Sequence, residues 1–302
     1  MLSKKGLLLF SGGLDSILAA KLLMDQGIKL QGLSFKNYFF ELKDIKKRAS
    51  RINLPLKMID LSKEQFKLVK NPKFGYGKNL NPCLDCRLLM FKQAKKIMEE
   101  QGFSFIATGE VIGERPMSQR KKAMEFLEKK AGLEGKLLRP LSAKLLKETE
   151  IEKKKIVDRK KLLAISGRSR KKQIALAKKY GIEDYPTPAG GCLLTDPAFS
   201  KRLKELLEKQ EKITENDIAL LFVGRHFWHK NVKIVVGRNE EENKKLHKLK
   251  KDGNIIIELE DIPGPTTLVR GGAQEAINKA KRLTKRYSSA ARRKKQVRFK
   301  KC

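Results

Sequence analysis

Leu7-Leu8-Leu9-Phe10-Ser11-Gly12-Gly13-Leu14-Asp15-Ser16 is the stretch on which the fold turns. Four apolar residues in a row read as a buried strand. The hexapeptide Ser11–Ser16 reads as a small Gly-rich turn into a helix that starts near Ile17. Gly12 and Gly13 let the backbone approach a phosphate closely, and the helix N-terminus beyond them favours an anion. Hydroxyls on Ser11 and Ser16 add donors, and Asp15 is suited to help hold a Mg2+ ion. The loop lacks the Lys-Ser/Thr ending of the common P-loop and the third glycine of a dinucleotide fingerprint. A nucleotide site of another build is expected at this first strand–helix turn.

Working outward, the first third of the chain alternates strand and helix. Strands are expected at 7–10, 30–35 and 55–59, with helical patterns at 16–26 and 41–52. Such alternation predicts an α/β domain with a parallel sheet. Residues 71–82, rich in Asn, Pro, Gly and Lys, read as a loop. Cys83 and Cys86 follow it, then a helix over 87–101 and a strand over 103–107. That strand ends in Thr108-Gly109-Glu110, where open α/β sheets bind ligands, so Thr108 and Gly109 join the candidate nucleotide contacts. Glu110 is a ligand-contact candidate, with a helix cap or a solvated carboxylate as the plain alternative.

Further on, helices are expected at 121–131 and near 169–180, followed by the loop Tyr185-Pro186-Thr187-Pro188-Ala189-Gly190-Gly191-Cys192. A smaller α+β unit is expected from 198. It has a charged helix to about 210, strands at 232–236, 254–259 and 266–270, and helices at 239–251 and 273–285. The expected domains are therefore 1–197 and 198–302.

Composition bounds the partners. The chain has 302 residues, with 69 Lys and Arg against 34 acidic residues, a formal charge of +35. That excess calls for a polyanion, RNA or DNA. It culminates in a basic run from Lys279 to Lys301, either a solvated end or an arm for phosphates. No apolar run approaches the roughly 20 residues needed to span a bilayer. Met1-Leu2-Ser3-Lys4-Lys5 runs into a strand rather than a signal peptide, so a cytoplasmic protein is expected.

Four cysteines argue against a disulfide scaffold, and Cys302 at the end of the basic run reads as incidental. Asn81-Pro82-Cys83-Leu84-Asp85-Cys86 places two thiols where they converge on one metal or redox centre. The third, Cys192, lies on the Gly-rich loop. All three histidines, His226, His229 and His247, fall in the second unit, so no fourth zinc ligand is evident beside the cysteines. Three thiolates with an open position suit a [4Fe-4S] cluster held by Cys83, Cys86 and Cys192, with one free iron. Alternatively, Cys86 and Cys192 form a nucleophile and persulfide-carrier pair, which needs thiolate character from nearby positive charge. A zinc clip or plain buried cysteines are the bland readings. Asp85 is either a supporting group or a turn residue.

Ser11–Ser16 resembles, residue for residue, the loop of the PP-loop ATP pyrophosphatases. With the cysteines, the chain resembles the tRNA-thiolating members of that group over about residues 1–200. Thr108-Gly109-Glu110-Val111-Ile112-Gly113-Glu114 with Ser118-Gln119, and Leu138-Arg139-Pro140-Leu141, look like 4-thiouridine synthases. Asn81-Pro82 with Cys86 looks like the catalytic-cysteine motif of 2-thiouridylases, and the three cysteines resemble the ligands of iron–sulfur-dependent thiolases. Val232–Arg238 and Pro263-Gly264-Pro265-Thr266 resemble the RNA-binding domain of the NFACT group. No N-terminal THUMP-type region or rhodanese-like extension is seen.

The resemblance implies an ATP-dependent tRNA sulfurtransferase, with ATP on Ser11, Gly12, Gly13, Asp15, Ser16, Thr108 and Gly109 and with Mg2+. Asp15, Cys86 and Cys192 are then its catalytic residues, and sulfur comes from sulfide or a carrier protein. Arg115 and Arg139 are candidates for charge on the phosphates. The expected product leans to 4-thiouridine, with 2-thiouridine as the alternative. A PP-loop ligase without sulfur chemistry and a non-catalytic RNA-binding protein are the rivals. Oligomeric state is not legible.

Overall fold

A computed structural model describes residues 4–40, 42–186 and 191–301. The chain divides into two compact units, Met1–Thr195 and Asp196–Cys302.

The first unit runs β1 (Lys5–Leu9), α1 (Leu14–Met24), β2 (Lys29–Lys36), α2 (Ile45–Arg51), β3 (Leu56–Asp60), α3 (Ser62–Lys70) and α4 (Cys83–Glu100). It continues with β4 (Phe105–Thr108), α5 (Lys121–Ala131), β5 (Leu137–Leu138), α6 (Glu150–Lys153) and α7 (Lys171–Lys179). The five strands form one sheet in the order β3-β2-β1-β4-β5, and every pairing is parallel. This is the expected parallel α/β domain.

After the exposed Lys5, strand β1 is apolar and buried because both sheet faces are covered. Leu8 and Phe10 pack with Ile17, Ala20 and Leu23 of α1 and Ile45 and Ala49 of α2. Leu7 and Leu9 face the other way, onto Phe91, Ala94, Ile97 and Met98 of α4 and Leu127 and Ala131 of α5. Alternate residues of one strand thus serve two core layers. The sheet order also puts the turn after β1 next to the turn after β4, since these strands are neighbours.

Of the elements that differ from expectation, two bear on the site. Helix α4 begins at Cys83 rather than after Cys86, so both thiols sit in its first turns. Helix α3 forms in a polar stretch, burying Gln65 and Val69 on one side.

The second unit runs α8 (Pro197–Lys209), α9 (Glu215–Leu220), β6 (Arg225–His229), β7 (Val232–Val236) and α10 (Glu240–Leu249). It ends with β8 (Asn254–Leu259), β9 (Thr267–Arg270), α11 (Gln274–Tyr287) and β10 (Phe299–Lys301). Its sheet, ordered β10-β8-β9-β7-β6, is antiparallel. Helix α11 covers one face, with Ala276, Ile277, Ala280 and Leu283 on Ile234, Val236, Ile257 and Val269. Leu220 of α9 and Leu246 of α10 cover the other, on Val235, Ile256 and Leu268.

The basic run is therefore largely folded. Its first part belongs to α11, and Phe299–Lys301 pair with Leu259–Ile257. Lys233 of β7 is fully buried, with Nζ 4.7 Å from the centre of the Trp228 ring. Burial pulls its ammonium down to about 8. No helix among the described residues is long and apolar enough to cross a membrane.

Candidate active site

The Ser11–Ser16 loop joins the carboxyl end of β1 to α1. Gly12 has φ +71°, a left-handed conformation that favours glycine. Gly13 is the extended residue just before the helix. Ser16 Oγ donates to Gly13 O at 2.8 Å, and Ser11 Oγ lies 3.3 Å from Ser16 Oγ. These bonds hold the loop open around the first turn of α1, whose N–H groups have no partner within the helix.

Gly109 touches this loop directly. A Cβ there would lie 2.5 Å from the Asp15 carbonyl carbon and the Ser16 nitrogen. The neighbouring Thr108 is buried, and its hydroxyl donates to Glu110 at 3.2 Å. Of the two strand-end candidates, Gly109 meets the loop, whereas the Thr108 hydroxyl faces Glu110.

Asp15 lies among charges that sequence reading did not assemble. Burial pushes its carboxyl above the ordinary value, while Arg170, the Gln173 amide and Arg115 pull it back. Its Oδ1 is buried without a hydrogen-bond partner, as are both polar atoms of the Gln173 amide and Nε of Arg170. Glu114 stands close enough for the Asp15 charge to raise its own carboxyl further, after burial. An orphaned carboxylate oxygen beside a phosphate-type loop fits a divalent cation.

Glu110 is not a solvated carboxylate but a buried, paired one. It is 3% exposed and accepts from Arg139 Nε at 3.0 Å, with Arg87 Nε 3.3 Å from its other oxygen. Burial alone would raise this carboxyl, but the two guanidinium groups hold it below its ordinary value. Arg139 also pairs with Glu128 at 2.7 Å. Its charge is thus matched by two carboxylates inside the fold. Arg115 is exposed and acts on Asp15.

The three cysteines are free thiols, each partly buried. Gln65 Nε2 donates to Cys86 Sγ at 3.5 Å. Asp85 is a loop anchor, since its carboxylate accepts from the backbone N–H of Lys73 and of Phe74, each at 3.0 Å. Leu193 N donates to Phe39 O at 3.0 Å, and Asn79 Nδ2 donates to Thr195 O at 2.8 Å. These bonds tie the Cys192 segment to the turn that follows β2 and to the 71–82 loop. The preceding residues 187–190, part of the expected shaped loop, lie outside the described residues, as does Cys302.

Burial pushes the Cys86 thiol up, against the pull of Gln65 and Arg87. Burial also pushes Cys192 up to about 12, and Cys86 and Cys83 add to the rise. The three sulfurs are thus electrostatic neighbours. For Cys86 desolvation outweighs the pull of the Arg87 guanidinium, which runs against the thiolate character that a nucleophile and carrier pair needs. Among the described residues, no group of three or more His, Cys, Asp or Glu is placed to hold one metal ion. His229 and His247 pair with Glu275 and Glu258, each at 2.8 Å, inside the second unit.

Residues 1–179 match the family described as thiamine biosynthesis protein (ThiI). The chain belongs to the ThiI family. Residues 224–301 match a second family, the NFACT protein RNA binding domain. Among curated proteins, this ThiI-family chain is 32% identical over 162 residues to a probable tRNA sulfurtransferase of Halothermothrix orenii, covering 49% of this chain and 37% of that protein. It is 34% identical over 121 residues to the tRNA-specific 2-thiouridylase MnmA of Sulfurimonas denitrificans, covering 37% and 36%. The matched region thus spans little more than a third of either relative. A crystal structure of a 4-thiouridine synthetase–RNA complex with bound ATP is 21% identical, at a TM-score of 0.43, over 72% of this chain and 52% of that one.

Gln65, Arg87, Arg170 and Gln173 were not found from sequence. Arg87 had a signal, a guanidinium one residue after the second thiol. Gln65 and Gln173 had none, being polar residues in polar helices.

Proposed function

We propose that this chain is an ATP-dependent tRNA sulfurtransferase that replaces a uridine carbonyl oxygen with sulfur, with 4-thiouridine as the favoured product. The observation that carries this reading is a phosphate-type loop and three neighbouring thiols in one α/β unit of a ThiI-family chain. Residues 1–197 supply the chemistry, and residues 198–302, with their NFACT-type match and basic surface, supply RNA docking. Curated relatives named for tRNA sulfur transfer and for 2-thiouridylation support the same substrate class.

ATP lies on the Ser11–Ser16 loop and against Gly109, where backbone N–H groups stabilise phosphate charge. Mg2+ fits the unpartnered Asp15 oxygen and would offset that charge. The uridine carbonyl oxygen attacks the α-phosphorus and pyrophosphate leaves. A sulfur nucleophile then attacks the carbon bearing the adenylate, and AMP leaves with the original oxygen. Sulfur comes from sulfide, which attacks directly, or from a carrier protein's persulfide, which passes its outer sulfur to Cys86 and leaves as the thiol; Cys83, Cys86 and Cys192 line the point of attack.

By donor type these thiols suit three irons of a [4Fe-4S] cluster. As placed they do not form a shared ligand set, so no step is derived through one.

The test is purification without oxygen, iron and sulfide analysis, and nucleoside mass spectrometry of tRNA treated with ATP and sulfide. A thionucleoside from the native chain, lost in Cys86→Ala and Cys192→Ala, is expected. Pyrophosphate release with tRNA but no thionucleoside from the native chain would favour a ligase without sulfur chemistry. Absence of both thionucleoside and pyrophosphate from the native chain would favour a binding protein.

A further inference from the structure

Three large apolar side chains are exposed around the thiols. Tyr76 is 40% exposed, Met117 41% and Leu193 36%. Scattered apolar residues are ordinary on a surface, but these are tied to the site by specific bonds. The Tyr76 hydroxyl donates to Val69 O at 2.6 Å. Val69 and Gln65 are four residues apart on α3, and Gln65 bonds Cys86 Sγ. The anchored end of Tyr76 is therefore about one helical turn, roughly 5.4 Å, from the residue that holds the second thiol.

Met117 comes from the loop that follows β4. Its Cγ and Cε would lie 3.3 Å from a Cβ on Gly77, so it packs on the backbone beside Tyr76. Leu193 follows Cys192 directly, on the segment that Asn79 ties to the Tyr76 loop. The loop itself is fixed by the Asp85 carboxylate at Lys73 and Phe74 and by Gly77 N to Asn81 O at 2.8 Å. Tyr76 is thus held firmly by its hydroxyl and its loop while 40% of its surface stays open to solvent.

We propose that the Tyr76 ring, flanked by Met117, is the platform on which the target base stacks while its carbonyl is adenylated and thiolated. This deepens the thiolation reading and rests on it. A base must leave its stack to meet both ATP and sulfur, and proteins receive unstacked RNA bases on aromatic faces. The rival role is a pin, in which the hydroxyl merely fastens the loop to α3.

The test compares Tyr76→Ala, Tyr76→Phe and Tyr76→Trp in the full chain, using total tRNA, ATP and sulfide without oxygen. Stacking predicts a roughly five- to hundred-fold loss of thionucleoside formation in Tyr76→Ala. Tyr76→Phe and Tyr76→Trp keep the rate within about twofold of native, the ring being what matters. Binding of a fluorescent ATP analogue is unchanged in all three. Tyr76→Trp also gains a fluorescence signal that tRNA quenches beyond the response of the native Trp228. Loss in Tyr76→Phe equal to that in Tyr76→Ala would establish the pin and overturn the platform. A native rate in Tyr76→Ala, or no added quench in Tyr76→Trp, would overturn it as well. If the native chain forms no thionucleoside, the functional reading itself fails, and the quench alone then judges the platform.

Discussion

Replacing Glu110 by Gln should destabilise the first unit strongly without touching the nucleotide loop. Glu110 and Arg139 are each 3% exposed, and Arg139 Nη2 is already buried without a partner. Removing one partner of a buried pair leaves a charge uncompensated, at a cost on the order of 3–5 kcal/mol. Gln keeps an acceptor for Arg139, and Glu128 keeps one charge in place, so about 3 kcal/mol is expected. For a unit of this size each kcal/mol moves the midpoint by about 2–4 °C, giving a fall of roughly 6–12 °C. The assay is thermal unfolding by far-UV circular dichroism, with Trp228 fluorescence following the second unit separately. The Trp228 transition should not move. Replacing all four members of the network, Arg87→Leu, Glu110→Leu, Glu128→Leu and Arg139→Met, should recover most of the loss, because no charge is then left without its partner. The pH dependence has a definite sign. The carboxyl is held below its ordinary 4.5, so its contribution is full above that value and disappears as pH falls through the lowered one. A midpoint within about 2 °C of native at pH 7 would refute the reasoning, since the pair would then contribute no more than a surface bridge.

Gly109→Ala should weaken ATP binding by at least about tenfold in a fluorescent-nucleotide titration. Its Cβ would meet backbone atoms at 2.5 Å, and a backbone has no rotamer to yield; native affinity would show that the loop tolerates the shift. Lys233→Met should stabilise the second unit by about 3 kcal/mol at pH 7, the equivalent of moving the ammonium from 10.5 to about 8. The native chain should gain that stability itself as pH rises from about 8 to 10.5, where the unfolded lysine also becomes neutral; denaturant unfolding followed by Trp228 checks both, and a flat pH profile would contradict the burial cost. Replacing the exposed Arg292, Arg293, Lys294 and Lys295 by Ser should weaken tRNA binding and flatten its salt dependence by up to about 0.9 per lost phosphate contact, with ATP binding unchanged. An unaltered salt slope in a filter-binding series would remove this segment from the RNA surface.

The strand–loop–helix at 5–24 was legible because its signals are local, an apolar run and two glycines at the turn. The Cys83–Cys86 pairing was legible in the same way, from spacing alone, although the helix that carries both thiols was expected to begin only after them. Legibility failed where partners are distant in sequence. Glu110, Arg87, Glu128 and Arg139 form one buried network from four elements, and each reads alone as surface charge. Helix α3 escaped notice because Ser62–Lys70 carries few apolar residues, so its buried side is marked by Gln65 as much as by Val69. Strand β6, Arg-His-Phe-Trp-His, offers no alternation of apolar and polar residues, and its membership in the sheet is set by β7. The thiols failed differently. Their positions were read correctly, but their protonation depends on burial, which spacing does not reveal.

Strand β10 has a consequence for how the second unit is made. It pairs only with β8, although it is the last of the described strands to leave the ribosome. Until it arrives, β8 presents an apolar Asn-Ile-Ile-Ile-Glu-Leu segment with one row of N–H and C=O groups unpaired. Nascent chains shortened before Phe299 would carry that open edge to one another, whereas the finished chain closes it with a strand bearing Lys300 and Lys301. The lysines that suit RNA phosphates therefore also repel a second copy of the chain along this edge of the sheet.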